Sequence, residues 1–194
     1  MRDAGREVIV GVLEKECRHL IRRFITFNTL HRPFITLKWA ESADHFIDIE
    51  RTDGKPVVLS SPLSSMLVHK KRAEADAIMV GRRTALLDNP SLTVRNWYGR
   101  NPIRIVLDCA LSLPHSLHLF DGEVSTIVFT AEKHSDEKNV TYKTIDFTQD
   151  VLPQIMEVLY QQKIQSLLVE GGSQLLQSFI DTELWDDCLL YTSP

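Results

Sequence analysis

Four consecutive apolar residues, Ala77–Val80, stop abruptly at Gly81, and this pattern limits the possible folds more than any other. A short apolar run with branched side chains predicts a strand buried on both faces, as in a parallel sheet. The polar segment that follows carries Thr84 and Asp88 and ends at Arg95. Because ligands of open α/β sheets bind beyond the carboxyl ends of the strands, we predict that this segment is a loop lining a ligand site.

Strand-like and helix-like segments alternate along the rest of the chain. Further strands are predicted at residues 34–40, 46–49, Ile103–Leu107, 126–129 and 166–169. Helices are predicted at residues 61–75, at residues 151–162 and after Gly172, where apolar side chains recur at three- and four-residue spacings. Strands separated by helices predict an α/β fold with a mainly parallel central sheet and helices on both faces.

The first 31 residues show a different pattern from the rest. Residues 7–12 are strand-like, and residues 13–27 carry apolar side chains at helical spacings. The residue before a proline disfavours the helical conformation, so Arg32 and Pro33 predict a break in the chain. We therefore predict a domain boundary between residues 31 and 32.

The composition disfavours some classes of partner. A net charge of −4 and an isoelectric point near 6.0 argue against a broad nucleic-acid interface, which needs a basic face. No stretch reaches the ~18 apolar residues that span a membrane, and no apolar core like that of a signal peptide follows the N-terminus. We therefore expect a cytoplasmic protein without nucleic-acid or membrane partners.

The cysteines and histidines give no support for a metal site. Cys17, Cys109 and Cys188 are far apart and form no C-x-x-C pair, so we expect reduced, mostly buried thiols. The seven histidines lack H-x-E and H-E-x-x-H spacings, which predicts surface or turn positions for them. No metal is therefore expected.

Two arginines are candidate anion ligands. Arg95 suits a phosphate because its planar guanidinium can donate two hydrogen bonds to one anion. Arg72, near the end of the preceding predicted helix, is a candidate second ligand. The alternative for Arg95 is an ordinary solvated loop. The alternative for Arg72 is a surface position near a helix C-terminus, where the helix dipole favours a positive charge.

The sequence Glu170-Gly171-Gly172-Ser173 follows a predicted strand and opens a helix. Glycine allows close approach of the backbone to a ligand, and the helix start offers N–H groups that suit a cofactor pyrophosphate. The G-x-G-x-x-G spacing of dinucleotide-binding proteins is absent, and a plain turn with Ser173 as the N-cap is the alternative. Glu170 either faces the site or caps the turn.

Lys38 interrupts the otherwise apolar strand predicted at residues 34–40. A lysine in a core strand is costly unless its ammonium group reaches solvent or a partner. Two interpretations stay open: Lys38 reaches the ligand crevice, or the strand has an exposed face.

Four segments, in this order, resemble one enzyme family: RPFITLK at residues 32–38, DAIMVGRRTALLDNPSLTVR at 76–95, PIRIVLD at 102–108 and LVEGG at 168–172. Together they look like the reductase domain of the bifunctional riboflavin-biosynthesis deaminase/reductase, and the resemblance covers residues 32–187. It implies a dihydrofolate-reductase-like α/β fold and NADPH as cofactor. The implied reaction reduces the ribosyl group of 5-amino-6-(5-phosphoribosylamino)uracil to a ribityl group.

The resemblance also implies roles for individual residues. Those it implies for NADPH binding are Ala40, Thr84, Asp88, Cys109, Gly172, Ser173, Gln174 and Leu175. Those it implies for the phosphorylated pyrimidine substrate are Arg72, Leu92, Arg95 and Glu170, with the arginines nearest the phosphate. Cys109 stands where the family often has a serine.

The implied chemistry delivers a hydride from NADPH to C1′ of the ring-opened ribosylamine, as an imine, and its nitrogen needs a proton. Asp88, Glu170 and Lys38 are the candidate catalytic residues for that proton. Two other functions stay open: a reductase of the same fold acting on another heterocycle, and a non-catalytic nucleotide-binding fragment.

Both ends of the sequence differ from the reductase pattern. Residues 4–17 resemble the last strand and helix of the family's deaminase domain, without its zinc motifs H-x-E and P-C-x-x-C. We therefore expect a deaminase remnant and linker at residues 1–31, a C-terminally truncated reductase domain at 32–187 and a non-native tail at 188–194. Pairing of sheet edges is compatible with a homodimer of the intact protein.

Overall fold

Seven parallel strands form one sheet in this computed structural model, which describes residues 1–48 and 59–192. The strands are β1 (Phe34–Glu41), β2 (Ala77–Val80), β3 (Ile103–Leu107), β4 (Thr126–Thr130), β5 (Val140–Thr144), β6 (Ser166–Glu170) and β7 (Asp187–Thr192). Their order across the sheet is β5-β4-β3-β2-β6-β1-β7. The predicted α/β fold with a mainly parallel sheet is therefore confirmed, and every pairing between these strands is parallel.

Six α-helices connect and flank these strands in the described part of the chain. They are α1 (Glu14–Leu20), α2 (Arg22–Leu30), α3 (Pro62–Glu74), α4 (Arg82–Asp88), α5 (Val151–Gln161) and α6 (Ser173–Asp181). The predicted start of α3 is confirmed, because the Ser61 side chain caps the helix by accepting a hydrogen bond from the Ser64 backbone N–H at 3.1 Å.

The sheet has an apolar layer on each face. In β2, Met79 packs into the layer that contains Ile155 of α5 and Phe179 of α6. Its neighbours Ile78 and Val80 pack into the opposite layer. Every residue of β2 is at most 1% exposed, as predicted for a strand covered on both faces.

The order of the strands creates a crevice at one end of the sheet. The chain runs from β1 to β2, moves outward through β3 and β4 to β5, and then returns through α5 to β6, which lies between β1 and β2. The carboxyl ends of β1, β6 and β2 are therefore neighbours, although they come from distant parts of the chain. Open α/β sheets bind ligands at such a position.

Two predicted strands are wrong in the part that the structure describes. Residues 46–48 form no strand, and residue 49 lies outside the described residues. Residues 7–12 are also irregular, since no described strand lies beside them to pair with their backbone.

The N-terminal helical segment differs from the prediction in two ways. It is divided into α1 and α2 around Ile21, and its apolar side chains stay exposed: Leu20 is 84% and Phe24 is 57% exposed. The three cysteines are free, but the prediction that they are buried is wrong, because all three are exposed. No described helix is long and apolar enough to cross a membrane.

Three elements were not predicted from the sequence: α4, β5 and β7. The segment after Gly81 was predicted as a loop, but α4 begins there and buries Ala85 in the core. Strand β7 contains residues of the predicted non-native tail and pairs with β1, with Thr36 opposite Asp187 and Glu41 opposite Thr192. The division of the chain into domains and the origin of residues 188–194 stay predictions.

Candidate active site

A cleft of about 820 Å³ opens at the carboxyl ends of β1, β2 and β6. Lys38 and Ala40 enter it from β1, and Gly81 follows β2 at its floor. Its other walls come from α4, from the start of α6 and from Arg72 of α3. The crevice expected beyond the strand ends is therefore a formed cavity.

Most of the candidate residues line this one cleft. Those that do are Lys38, Ala40, Arg72, Thr84, Asp88, Leu92, Glu170, Gly172, Ser173, Gln174 and Leu175. Arg95 and Cys109 are outside the lining and exposed. Their binding roles stay predictions.

The turn between β6 and α6 lies directly against α4. Gly171 and Gly172 have φ angles of 90° and 78°, in the left-handed region that favours glycine. A Cβ added to Gly172 would lie 3.1 Å from Thr84 Oγ1, and a Cβ on Gly171 would lie 3.4 Å from Thr84 Cγ2. The φ angles disfavour side chains at both positions, and at Gly172 the tight approach of Thr84 adds a steric restriction.

The start of α6 is open to an anionic group. The helix begins at Ser173, and Gly172 occupies the N-cap position without a side-chain hydrogen bond. The alternative interpretation with Ser173 as the N-cap is therefore wrong. The N-terminus of a nine-residue helix beside a glycine turn has the N–H groups and the dipole direction that suit a phosphate.

Arg72 and Glu170 form a buried, two-pronged ion pair in the cleft. Arg72 Nε donates to Glu170 Oε1 at 3.0 Å, and Arg72 Nη2 donates to Oε2 at 2.7 Å. The side chains are only 13% and 9% exposed. Such paired hydrogen bonds fix both groups in orientation as well as in charge.

This pair decides the charge of Glu170. Burial raises the pKa of the Glu170 carboxyl, but the charge and hydrogen bonds of Arg72, with smaller effects of Lys38 and His69, lower the pKa below its ordinary value. Glu170 is therefore a carboxylate at neutral pH, which accepts hydrogen bonds and has no proton to donate. For Arg72, burial lowers the pKa, but the Glu170 charge more than compensates and the pKa is raised.

Lys38 lies next to this ion pair and lines the cleft, so the crevice interpretation of Lys38 is the one observed. It is directly opposite Glu170 in the register of β1 and β6. Its Nζ is also 5.8 Å from the centre of the Tyr191 ring on β7. Lys38 is thus a half-buried residue that lines the cleft close to a carboxylate and an aromatic ring.

Thr84 and Asp88 lie one helical turn apart on α4, and both line the cleft. Asp88 is the last residue of the helix, and the following Asn89 ends it in the left-handed conformation, with φ 39°. Because Thr84 contacts the glycine turn, Asp88 belongs to the same wall of the cleft.

The sequence model of the RibD C-terminal domain matches residues 33–194. The chain belongs to this family. The RibD C-terminal domain therefore includes β1 to β7 and all walls of the cleft. Helices α1 and α2 lie outside the matched residues.

Relatives of this RibD C-terminal domain have named activities. Riboflavin biosynthesis protein RibD of Aquifex aeolicus is 35% identical over 199 residues, which cover all of this chain and 55% of that protein. A protein of Archaeoglobus fulgidus, 2,5-diamino-6-ribosylamino-4(3H)-pyrimidinone 5′-phosphate reductase, is 31% identical over 84% of this chain and 81% of its own length. The chain spans about half the length of the RibD proteins that it matches.

Solved structures agree with this relationship. The diaminohydroxyphosphoribosylaminopyrimidine deaminase/5-amino-6-(5-phosphoribosylamino)uracil reductase of Thermotoga maritima superposes with a TM-score of 0.82. It is 37% identical in sequence, and the match covers 93% of this chain and 51% of that one. RibD of Acinetobacter baumannii has the same fold, with a TM-score of 0.83 at 24% identity.

Sequence reasoning missed several polar residues at this site, among them Arg82 and His69. Arg82 lines the cleft, and its Nε donates to Ser112 Oγ at 2.9 Å. Its position directly after Gly81, where a strand ends, was the available signal. His69 was predicted at the surface, which is wrong, because it is 5% exposed and packs beneath the Arg95 segment.

Proposed function

We propose that this chain is an NADPH-dependent reductase of riboflavin biosynthesis. The reaction converts the ribosyl group of 5-amino-6-(5-phosphoribosylamino)uracil to a ribityl group. The observation that carries this proposal is a single cleft in which a glycine-lined cradle and the Lys38–Glu170–Arg72 cluster are both present. The names of the A. fulgidus and T. maritima relatives support the substrate class, a phosphorylated ribosylaminopyrimidine.

The residues of the cradle fit a dinucleotide cofactor. Gly172 lets the turn pack tightly against Thr84, and the uncapped start of α6 suits a pyrophosphate. We assign Thr84, Asp88 and the turn from Gly172 to Leu175 to the cofactor, together with Ala40 on β1. When bound, NADPH supplies the hydride.

We assign a second group of residues to the substrate. Arg72 and Glu170 present a fixed donor and acceptor pair to the pyrimidine ribosylamine, and Leu92 adds a buried apolar contact. Arg95 carries an exposed guanidinium that is available to the phosphate. Binding of the phosphate, remote from the reacting carbon, holds C1′ in position for reduction.

Lys38 is the proton donor in this proposal. Adding a hydride to C1′ of the imine moves an electron pair to nitrogen, which must then receive a proton. Glu170 is ionised by its pairing with Arg72 and cannot supply it. Lys38 is opposite Glu170 on the neighbouring strand and lines the cleft, so in this proposal its ammonium group gives the proton.

The test is NADPH oxidation, followed by the nicotinamide absorbance, with the phosphoribosylaminouracil substrate and with identification of the ribityl product. Lys38→Met should reduce kcat by about two orders of magnitude and leave the Kd for NADPH unchanged. Lys133→Met is the matched control, since Lys133 is exposed in the turn after β4. NADPH binding without turnover by a folded wild-type chain would instead support a non-catalytic fragment, and turnover with another heterocycle alone would support a different reductase.

Two broader proposals accompany this one. Three free, exposed thiols in the described residues are consistent with the cytosol, where thiols stay reduced.

Strand β7 is at the edge of the sheet, and no described strand pairs with its outer side, which is consistent with a homodimer of the intact protein. Light scattering of the intact protein measures this second property directly.

A further inference from the structure

His69 is a buried titratable group without a role in the reaction proposed above. It lies on α3, three residues before Arg72, so both side chains project from the same side of the helix. The imidazole is 5% exposed, and its Nδ1 accepts a hydrogen bond from the backbone N–H of Arg95 at 3.0 Å. One ring nitrogen is thus used to hold the main chain of the predicted phosphate-binding segment.

The same segment is held by a second contact from α3. Arg72 Nη1 donates to the backbone carbonyl of Thr93 at 3.3 Å, while the rest of its guanidinium binds Glu170. Arg95 Nη1 in turn donates to Thr93 Oγ1 at 3.2 Å. Residues 93–95 are therefore attached to α3 at two backbone atoms, one bound by Arg72 and the other by His69.

We propose that His69 is a positioning residue: its neutral imidazole holds residues 93–95 against α3 and so places the Arg95 guanidinium where it binds the substrate phosphate. The proposal rests on the proposed function for the identity of the ligand. The chemical class that it requires is a phosphate monoester on a sugar.

The charges around His69 favour the neutral form. Arg72 faces it from α3, Arg95 from the loop and Glu170 from β6. Burial and the two arginine charges lower the pKa of His69, and this outweighs the opposite effects of Glu170 and the Thr93 backbone. A protonated ring would carry a hydrogen on Nδ1, opposite the N–H of Arg95, and the bond would be lost.

A pH dependence follows from this geometry. Since the pKa of His69 in the folded chain lies below its ordinary value of 6.5, the bond to Arg95 is present at neutral pH and is lost as the pH falls through this lowered pKa. A phosphate monoester also gains a proton near pH ~6. The comparison must therefore be made with a variant that keeps an acceptor and does not titrate.

Asparagine provides this comparison. In His69→Asn, the side-chain oxygen can replace Nδ1 as the acceptor for the Arg95 N–H, and it carries no titratable proton. His69→Leu removes the acceptor and keeps an apolar side chain. His19→Leu is the control, because His19 is exposed on α1.

The experiment is binding of ribose 5-phosphate by calorimetry to the wild type and the three variants, at several values between roughly pH 5.5 and 8. His69→Leu should raise the Kd about five- to tenfold at pH 8, the loss expected for one hydrogen bond, while His69→Asn and His19→Leu stay within about twofold of the wild type. As the pH falls through the lowered pKa of His69, the wild-type Kd should rise more steeply than that of His69→Asn. The Kd for NADPH should be unchanged in all variants, which shows that they are folded.

Each other outcome is decisive. Equal Kd values for His69→Leu and the wild type would overturn the proposal, as would parallel pH profiles for the wild type and His69→Asn. Absence of ribose 5-phosphate binding by the wild type would overturn the phosphate role of the Arg95 segment, even if the reductase assay succeeds. The expected Kd pattern without pyrimidine reduction would leave the positioning role intact and reject the proposed function alone.

Discussion

Thr84 lies so close to Gly172 that its Oγ1 would be 3.1 Å from any Cβ at that glycine. This contact joins the two most distinctive sequence segments, one after β2 and one after β6, into a single wall of the cleft. Gly172 is therefore restricted in two independent ways. A side chain would approach Thr84 too closely, and a φ of 78° is one that residues other than glycine rarely adopt.

Gly172→Ala should therefore damage the cradle. We expect a loss of about 1–2 kcal/mol in the free energy of unfolding from the positive φ, and a KM for NADPH about tenfold higher because Thr84 must move. Denaturant unfolding and steady-state kinetics measure the two effects. Gly81→Ala is the matched control, since its φ is −75° and a Cβ there would lie at an ordinary 3.7 Å from Leu175; equal losses in both variants would contradict the prediction.

Glu170→Gln should remove the negative partner of Arg72 while keeping the size of the side chain. Because Arg72 would remain charged and only 13% exposed, we expect the free energy of unfolding to fall by about 3 kcal/mol. The KM for the pyrimidine should rise, since both groups lose their fixed orientation. Urea denaturation checks the first effect, and an unchanged midpoint would show that the pair contributes little.

Asp88→Asn should weaken binding of the cofactor and leave binding of the substrate unchanged. We expect the KM for NADPH to rise about fivefold, the cost of weakening one charge-assisted hydrogen bond, with the KM for the pyrimidine unchanged. Asp150→Asn is the control, because Asp150 is exposed before α5 and makes no capping bond with its side chain. A rise in the pyrimidine KM instead would move Asp88 to the substrate side of the cleft.

Acid should destabilise the folded chain through Glu170. Its folded pKa lies below the ordinary value of 4.5, so the ion pair stabilises the fold above that pH, and the contribution is lost as the pH falls through the lowered pKa. The Tm should therefore decrease below pH ~4.5. In Glu170→Gln the decrease should be smaller, and identical slopes for the two proteins in calorimetry would exclude Glu170 as a cause.

The elements that could be predicted from sequence are those whose local pattern and tertiary environment agree. Strand β2 is apolar on both faces because both faces are covered, and α5 buries Leu152, Ile155 and Met156 at helical spacings. The glycines after β6 likewise have a local reason, their positive φ angles. These features depend on neighbouring residues, so one sequence contains enough information to predict them.

The features that escaped prediction depend on distant contacts. Helix α4 exposes Leu86 and Leu87, and its packing depends on Ala85 reaching a core that other segments build. In α3 the apolar residues Leu63 and Leu67 are exposed, whereas Val68 and His69 are buried. The spacing of apolar residues shows which side of a helix is apolar, but whether another element packs against that side depends on the rest of the fold.

The placement of β6 between β1 and β2 has a consequence for how the protein is made. Phe34 of β1 pairs with Ser166 of β6, which a ribosome adds 132 residues later, and β7 comes later still. Such distant pairings make folding slow, because a long loop must close before any contact compensates for its entropy. During translation, β1 is therefore synthesised long before the strands that pair with it. The cleft can form only when nearly the whole domain has emerged from the ribosome, so binding of the cofactor would report completed folding.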